Sequence, residues 1–404
     1  MKRASLFRVA FLLLAFTLAW LTHRNSALAA PPPGASPYQR WTRGPSSDPT
    51  FFPLAVWLQS PAKAEQYAKA GINTYVALWR GPTEEQLAAL KSASLKVICH
   101  QNEVGLRHQD DPAIIGWMHG DEPDNAQSQG RGQGYGSPIL PEKIIRDYEA
   151  KRAADPSRPI LLNLGQGVAW DNYIGRGVRR NHPEDYPEYV KGADIVSFDI
   201  YPVVHEKPEV AGKLWYVAHG VERLVKWSGP EHIVWNCLEC TRISNLQMKA
   251  TPHQVRGEAW MSIIHGSRGL IYFVHEWQPK FNESAILSDL EVLEAVTALN
   301  RQITSLAPVI NSPAVPESAR VQSENSEAPI ALLTKRHNNA IYLFAVGMRE
   351  AKTSATFTIP NLSGKRTVTV LDENRTLTSQ DGVFRDAFEP WDVHLYRVAA
   401  DAGR

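Results

Sequence analysis

Two adjacent acidic residues, Asp121 and Glu122, follow directly on an apolar run and precede Pro123. The run, Ile114 to His119, is typical of a buried strand. A strand that ends in carboxylates places titratable groups at the edge of a hydrophobic core, where enzymes carry their acids and bases. An isolated Asp-Glu pair is more often the start of a solvated loop. A chemical role therefore depends on what other strands carry at the same end.

A second carboxylate, Glu239, follows the predicted strand His232–Leu238. Successive side chains of a strand point to opposite faces, so Glu239, Cys237 and Trp235 are expected to share one face. A glutamate at an inward-facing strand end is costly as packing but useful as a nucleophile. Glu276 is the main rival for this role, because it also ends a predicted strand beside an aromatic residue. Asp199 is interpreted as a supporting hydrogen-bonding group.

The elements that must position these residues alternate between strand and helix. Helices are predicted after Ser60-Pro61 and Pro82 and in the later intervals. The later predicted helices are Pro141–Ala154, Leu214–Trp227, Pro252–His265 and Leu290–Ser305. The eight predicted strands are Phe52–Leu58, Thr74–Trp79, Lys96–Gln101, Ile114–His119, Pro159–Leu164, Asp194–Tyr201, His232–Leu238 and Gly269–Phe273.

Eight such units in succession match the α/β fold known as the (β/α)8 or TIM barrel. The competing fold is an open doubly wound sheet. That fold usually carries a Gly-rich phosphate turn after its first strand, and Leu58-Gln59-Ser60-Pro61 has none. We therefore predict a catalytic barrel over residues 50–312.

The pattern changes after Pro313 to short alternating runs with turn signals such as Asn338-Asn339 and Asp381-Gly382. The chain from 313 to 404 is thus predicted to hold a linker, residues 314–327, and a small antiparallel β-sandwich. The predicted strands are Ala328–Thr334, Ala340–Val346, Ser354–Ile359, Arg366–Leu371 and Val393–Val398.

Functional side chains of a barrel lie where its strands end in loops. In this chain those positions are dense in carboxylates, amides and indoles. Sugars offer apolar faces that stack on Trp and hydroxyls that need polar partners, so this lining predicts a carbohydrate ligand. The candidate binding residues are Trp57, Arg80, His100, Asp121, Asn163, Tyr201, Glu276 and Trp277.

With Glu122 after the fourth predicted strand and Glu239 after the seventh, the chain resembles the retaining (β/α)8 glycoside hydrolases of clan A. The resemblance covers Phe52 to about Ile310, and a trailing β-sandwich is also common in that clan. It implies that Glu122 is the acid/base and Glu239 the nucleophile. It also implies that Trp277 forms the floor of the subsite that holds the cleaved sugar.

Arg80 and Tyr201 stand at further positions of the clan pattern, but Asp121-Glu122-Pro123 replaces the usual Asn-Glu-Pro. An ionised Asp121 can only accept a hydrogen bond, which leaves the identity of the sugar open. Its charge favours a proton on Glu122 and so favours the acid role.

The reaction that the resemblance implies is double displacement on an O-glycosidic bond. Retention needs carboxyl groups about 5–5.5 Å apart, whereas inversion needs about 6.5–9.5 Å. A hydrogen bond from Arg80 or Tyr201 would keep Glu239 ionised. This chemistry needs no cofactor and no metal ion. Two alternatives stay open, a barrel that only binds carbohydrate and a transglycosylase that uses the same carboxylates.

Residues 1–29 combine a basic head, an apolar run from Val9 to Leu21 and the small-residue site Ala27-Leu28-Ala29. They predict a cleaved signal peptide and hence a secreted or periplasmic protein with no membrane span after cleavage. The Pro-rich stretch 30–49 is predicted to be a mobile lead-in. A net charge of +1 without a basic run in the mature chain argues against nucleic acid as a partner. The oligomeric state stays open.

The three cysteines are Cys99, Cys237 and Cys240; because their number is odd, at least one thiol is expected to be free or intermolecular, and no disulfide framework is implied. The Cys-x-x-Cys pair lacks the second pair that a zinc site needs, so we interpret both residues as packing groups.

Overall fold

A parallel sheet of nine strand segments forms a nearly closed ring in the computed structural model, which describes residues 36–315 and 318–400. The predicted signal peptide lies outside the described residues. The segments are β1 (Leu54–Trp57), β2 (Thr74–Val76), β3 (Lys96–His100), β4 (Ile114–Met118), β5 (Ile160–Leu164), β6 (Ile195–Phe198), β7 (Ile233–Val234), β8 (Asn236–Glu239) and β9 (Leu270–Phe273).

The ring closes through one interrupted strand. β7 and β8 are the two halves of the seventh predicted strand, divided at Trp235. β7 pairs with β6 and β8 pairs with β9, so this strand joins both ends of the sheet. The predicted (β/α)8 barrel is thereby confirmed.

Eight α-helices of the described chain follow or separate the strands. They are α1 (Ala64–Lys69), α2 (Glu84–Ser92), α3 (Glu103–Arg107), α4 (Pro141–Ala154), α5 (Tyr186–Tyr189), α6 (Trp215–Ser228), α7 (Pro252–Ile264) and α8 (Leu290–Ile310). α2 begins with a capping box in which Thr83 and Gln86 bond each other's backbone N–H groups, and α7 begins in the same way. Such caps satisfy N–H groups that the helix cannot pair and so fix where it begins.

The inside of the ring is filled by its own apolar layer, which includes Ala55, Ile98, Leu161 and Trp235. The indole N–H of Trp235 donates to the hydroxyl of Tyr38 (2.9 Å), which donates to the carbonyl of Arg268 (2.9 Å).

The mobility of the lead-in, residues 30–49, stays a prediction, but its residues 37–41 pack against the barrel. Pro37–Arg40 is a short 3₁₀ helix, and Tyr38 and Trp41 are buried in the inner layer. Burial of the two aromatic rings removes apolar surface from water, and this stabilises the packed conformation of the segment. The three cysteines are buried and unpaired.

The C-terminal domain is one antiparallel sheet of eight strands, which confirms a small antiparallel β domain. Its strands are β10 (Arg320–Ser323), β11 (Ile330–His337), β12 (Ala340–Gly347), β13 (Thr353–Thr358), β14 (Lys365–Val370), β15 (Arg375–Gln380), β16 (Val383–Phe388) and β17 (Val393–Ala399). The first and last strands of the order, β10 and β11, contact each other, so the sheet is barrel-like.

Three strands of this domain were not predicted. β10 lies within the stretch 314–327 that was predicted to be a linker, and β15 and β16 are rich in Thr, Arg and Asp. These polar side chains obscure the alternation of apolar and polar residues by which a strand is predicted. Strand pairing places one face against the core, where Phe384 stacks on Phe357 at 4.8 Å.

The second domain packs on the barrel through α7 and α8. Trp260 of α7 contacts the ring of Phe344 at 5.1 Å, and Arg256 donates to the carbonyl of Val393 (2.8 Å). None of the helices in the described part of the chain combines the length and the hydrophobicity of a membrane span.

Candidate active site

The turn after β4 holds Glu122 in an unusual backbone conformation. Its φ is +41°, in the left-handed region that side chains other than Gly rarely adopt. The turn is held by the Glu122 N–H, which donates to the carbonyl of Asn163 (3.2 Å), and by the Asn125 N–H, which donates to the carbonyl of Glu122 (3.1 Å). Such strain costs about 1–3 kcal/mol and occurs most often at functional sites.

The carboxyl group of Glu122 lies within hydrogen-bonding reach of Asp199, which follows β6. Burial, together with the neighbouring carboxylates of Asp199 and Asp121, raises the pKa of Glu122 well above its ordinary value. Two carboxyl groups in contact are satisfied only when one of them keeps a proton. Asp199 Oδ1 has no hydrogen-bond donor in the described part of the chain, and a proton on Glu122 would supply one.

Asp199 is the better placed of the two to ionise. Burial raises its pKa, while hydrogen bonds from Glu122 and from the hydroxyl of Tyr201 act in the opposite direction. The arrangement therefore provides a proton donor and a negatively charged group at one point of the barrel mouth.

Asp121 and Asn163 form the polar wall beside this pair. Asn163 Nδ2 donates to Asp121 Oδ1 (2.9 Å), and Asn163 Oδ1 accepts from the hydroxyl of Ser197 (2.7 Å). Asp121 remains open to solvent although protein surrounds it on most sides, as in a concave mouth. These surroundings and the charge of Asp124 raise the pKa of Asp121 to about 6.

The turn is anchored by Asp124, which the sequence did not single out. Its carboxylate accepts from the Gly165 N–H (2.9 Å) and the Tyr186 hydroxyl (2.9 Å), and it is fully buried near Arg176. Gly165 also leaves room for the candidate acid, because a Cβ at this position would lie 2.9 Å from Glu122 Oε1. The position of Asp124 two residues after Glu122 was the feature of the sequence that could have identified it.

Glu239 occupies a different environment from the one that the sequence predicted. Its fully buried carboxylate accepts from the backbone N–H groups of Val203 (2.6 Å) and Val204 (3.0 Å) and faces Glu258 of α7. Burial raises the pKa of Glu239 to about 8. The carboxyl groups that act most strongly on Glu122 are those of Asp199, Asp121 and Asp124, so the predicted partner of Glu122 is not among them.

The two predicted partners of Glu239 are also placed elsewhere. Tyr201 acts on Asp199, whose pKa it lowers, and the Arg80 guanidinium lies over the ring of Trp79, 5.7 Å from its centre. The rival carboxylate, Glu276, forms an ion pair with Arg242 (2.6 Å).

Of the predicted aromatic residues, Trp277 is the accessible one and is 44% exposed. It stacks on Phe273 at 5.6 Å, and Phe273 contacts Tyr201 at 5.1 Å. Trp57 is buried in the layer inside the ring, and His100 is half-buried at the end of β3. The structure thus gathers Glu122, Asp121, Asn163 and Tyr201, with Asp199 as an added member; Trp277 joins them through Phe273.

Among residues 36–315 and 318–400, no group of three or more His, Cys, Asp or Glu side chains is arranged to hold a metal ion.

Solved structures share the fold of this chain at very low sequence identity. AmyP in complex with maltose has a TM-score of 0.53 and 9% identity, over 88% of this chain and 98% of AmyP. A variant of AmyP in complex with maltotriose has a TM-score of 0.54 and 9% identity, over 87% and 97%. A maltogenic α-amylase, AmyB from Thermotoga neapolitana, has a TM-score of 0.50 and 8% identity, over 87% and 99%. Identity this low establishes a common fold alone. No protein-family profile and no curated sequence matches the chain.

Proposed function

We propose that this chain is a glycoside hydrolase that cleaves an O-glycosidic bond, with Glu122 as the acid/base. The observation that carries the proposal is the carboxyl pair at the barrel mouth, in which burial and Asp199 keep a proton on Glu122. A carboxylic acid that stays protonated near neutral pH can protonate a departing sugar oxygen, and an adjacent carboxylate can stabilise or attack the anomeric carbon.

The second carboxylate that we propose is Asp199, in place of the predicted Glu239. Asp199 contacts Glu122 directly, whereas two backbone N–H groups and Glu258 surround the carboxylate of Glu239. Carboxyl groups in contact are closer together than in either a retaining or an inverting glycosidase, so the contact between Glu122 and Asp199 does not by itself select one stereochemical course. Retention by double displacement, with Glu122 returning as base towards water, requires the two carboxyl groups to separate to about 5–5.5 Å around the bound sugar.

Sugar binding is assigned to the wall of the mouth. Asp121 and Asn163 offer an acceptor and an amide for ring hydroxyls, and the exposed face of Trp277 offers a stacking surface. A carbohydrate ligand also fits the shared fold with AmyP, which binds maltose and maltotriose. Export by the predicted signal peptide would give the enzyme access to extracellular or periplasmic glycosides.

The test is sugar release from a panel of aryl α- and β-glycosides and oligosaccharides by wild-type protein and Glu122→Gln. We expect the substitution to lower kcat/KM about 10²–10⁴-fold, the usual contribution of a general acid. Glu188→Gln, on the surface of α5, is the matched control and should leave turnover unchanged. Binding without release by the wild-type protein would favour the carbohydrate-binding alternative, and glycosyl transfer to added sugars would favour the transglycosylase.

A further inference from the structure

A cavity of about 860 Å³ lies between the loop after β1, α2 and the segment after β9. Three large aromatic side chains in its lining are accessible, Trp79 (67% exposed), Phe281 (58%) and Trp277 (44%). Several exposed aromatic side chains in one cavity usually mark a ligand-binding or interaction site.

Two polar side chains of this cavity, Gln59 and Gln86, are already engaged within the protein. Gln59 accepts from the hydroxyl of Tyr67 (2.5 Å) and donates to the carbonyl of Glu283 (2.6 Å). Gln86 closes the capping box of α2 and donates to the carbonyl of Trp79 (3.0 Å). The polar groups that remain, His275 Nδ1 and the carboxylates of Glu85 and Glu283, are few beside the three accessible aromatic rings. A flat apolar group would release water from the aromatic faces, which is favourable.

A row of aromatic rings connects this cavity to the candidate catalytic pair. Phe281 contacts Trp277 at 6.1 Å, Trp277 stacks on Phe273 at 5.6 Å, and Phe273 contacts Tyr201 at 5.1 Å. The side chain of Tyr201 in turn lowers the pKa of Asp199. Trp277 therefore belongs both to the lining of the cavity and to the row of rings that reaches the carboxyl pair.

We propose that this cavity binds a neutral aromatic aglycone, so that the substrates are aryl glycosides in which only one half is a sugar. This inference rests on the proposed function. In the reaction, the bond between the anomeric carbon and the aglycone oxygen breaks, and the Glu122 proton passes to that oxygen. The aglycone leaves as a phenol, while water supplies the hydroxyl of the sugar and returns a proton to Glu122. Glu85 and Glu283 in the lining disfavour an anionic aglycone.

The first measurement is the binding of 2-naphthol alone, followed by calorimetry, to wild-type protein, Trp79→Ala and Phe281→Ala. We expect each substitution to weaken binding at least tenfold. Tyr135→Ala removes an equally exposed aromatic ring outside the cavity lining and is the control, with unchanged binding. All three side chains are largely exposed, and thermal unfolding checks that each variant is folded.

The second measurement compares kcat/KM for methyl and 2-naphthyl glycosides of the same sugar. We expect the naphthyl glycoside to be preferred at least tenfold by the wild-type protein, and Trp79→Ala and Phe281→Ala to remove most of this preference through KM. Because the leaving groups differ in reactivity, the change between variants is the decisive quantity.

Failure of the aglycone site and failure of the proposed hydrolase activity give different results. Binding of 2-naphthol that depends on Trp79 and Phe281, without cleavage of any glycoside, would support the cavity and overturn the proposed function. Cleavage that is indifferent to both substitutions, with no binding of 2-naphthol, would overturn the aglycone site and leave the hydrolase intact. Loss of oligosaccharide binding in Trp79→Ala, with no naphthol binding, would make the cavity a sugar subsite and also overturn the inference.

Discussion

The carboxyl groups of Glu122 and Asp199 lie within hydrogen-bonding reach of each other, one after β4 and the other after β6. Each changes the proton affinity of the other, so the two titrate as a pair. Burial keeps the proton on Glu122, and the hydroxyl of Tyr201 supports the charge on Asp199. This division of roles is what a glycosidase requires of its two carboxyl groups.

Asp199→Asn is expected to lower kcat/KM on the best aryl glycoside at least 10²-fold, because it removes the negative charge beside Glu122. Glu239→Gln should keep activity within a few-fold, since its carboxylate serves the backbone of Val203 and Val204. Steady-state kinetics on both variants, with thermal unfolding to check the fold, separates the two carboxylates. The opposite order of effects would restore Glu239 as the nucleophile.

The pH profile of kcat/KM should be bell-shaped, with its alkaline limb set by loss of the Glu122 proton. The pKa of Glu122 is raised, so this limb lies above the ordinary carboxyl range. Asp121→Asn removes one of the charges that raise this pKa and should move the alkaline limb to lower pH by up to about one unit. If the alkaline limb does not move in this variant, the charge of Asp121 does not raise the pKa of Glu122.

Gly165→Ala should reduce kcat/KM at least tenfold, because its Cβ would come within 2.9 Å of Glu122 Oε1 and 2.6 Å of Asn125 Oδ1. Displacement of a catalytic group by a fraction of an ångström is enough for such a loss. Gly120→Ala is the matched control, since nothing lies within 4 Å of its Cβ position. Equal activity of the two alanine variants would contradict the placement of Glu122.

Glu258→Gln is expected to make the protein less sensitive to alkaline pH. Burial raises the pKa of both Glu258 and Glu239, so the folded state binds protons more tightly than the unfolded state. Their contribution to stability is complete below the unfolded pKa of about 4.5 and is lost as pH rises towards about 8.

The amide that the Glu258→Gln substitution introduces can donate to Glu239, so we expect the free energy of unfolding at pH 8 to rise by on the order of 1–3 kcal/mol. Urea unfolding at pH 5 and pH 8 measures the difference, with the exposed Glu231→Gln as control. If wild type and Glu258→Gln lose the same free energy of unfolding between pH 5 and pH 8, then Glu239 and Glu258 do not cause the pH dependence.

Local patterns fixed much of the barrel before any contact was known. The apolar run before Glu122 becomes β4, the run before Glu239 becomes β7 and β8, and Pro141–Ala154 is a helix with the predicted bounds. Thr83 and Thr251 cap the starts of α2 and α7 by hydrogen bonds to residues three positions later. These features depend on neighbours in sequence, so the chain itself encodes them.

The sequence by itself determined that the barrel is of the (β/α)8 type, and that acids, amides and indoles follow its strands. Only the tertiary structure decided which carboxyl group meets Glu122. The loop after β6 presents the N–H groups of Val203 and Val204 to Glu239 and leaves Asp199 beside Glu122. Tyr38 likewise became part of the barrel base only through Trp235, almost two hundred residues away. Such contacts depend on how distant segments pack, and the spacing of residues along the chain does not specify it.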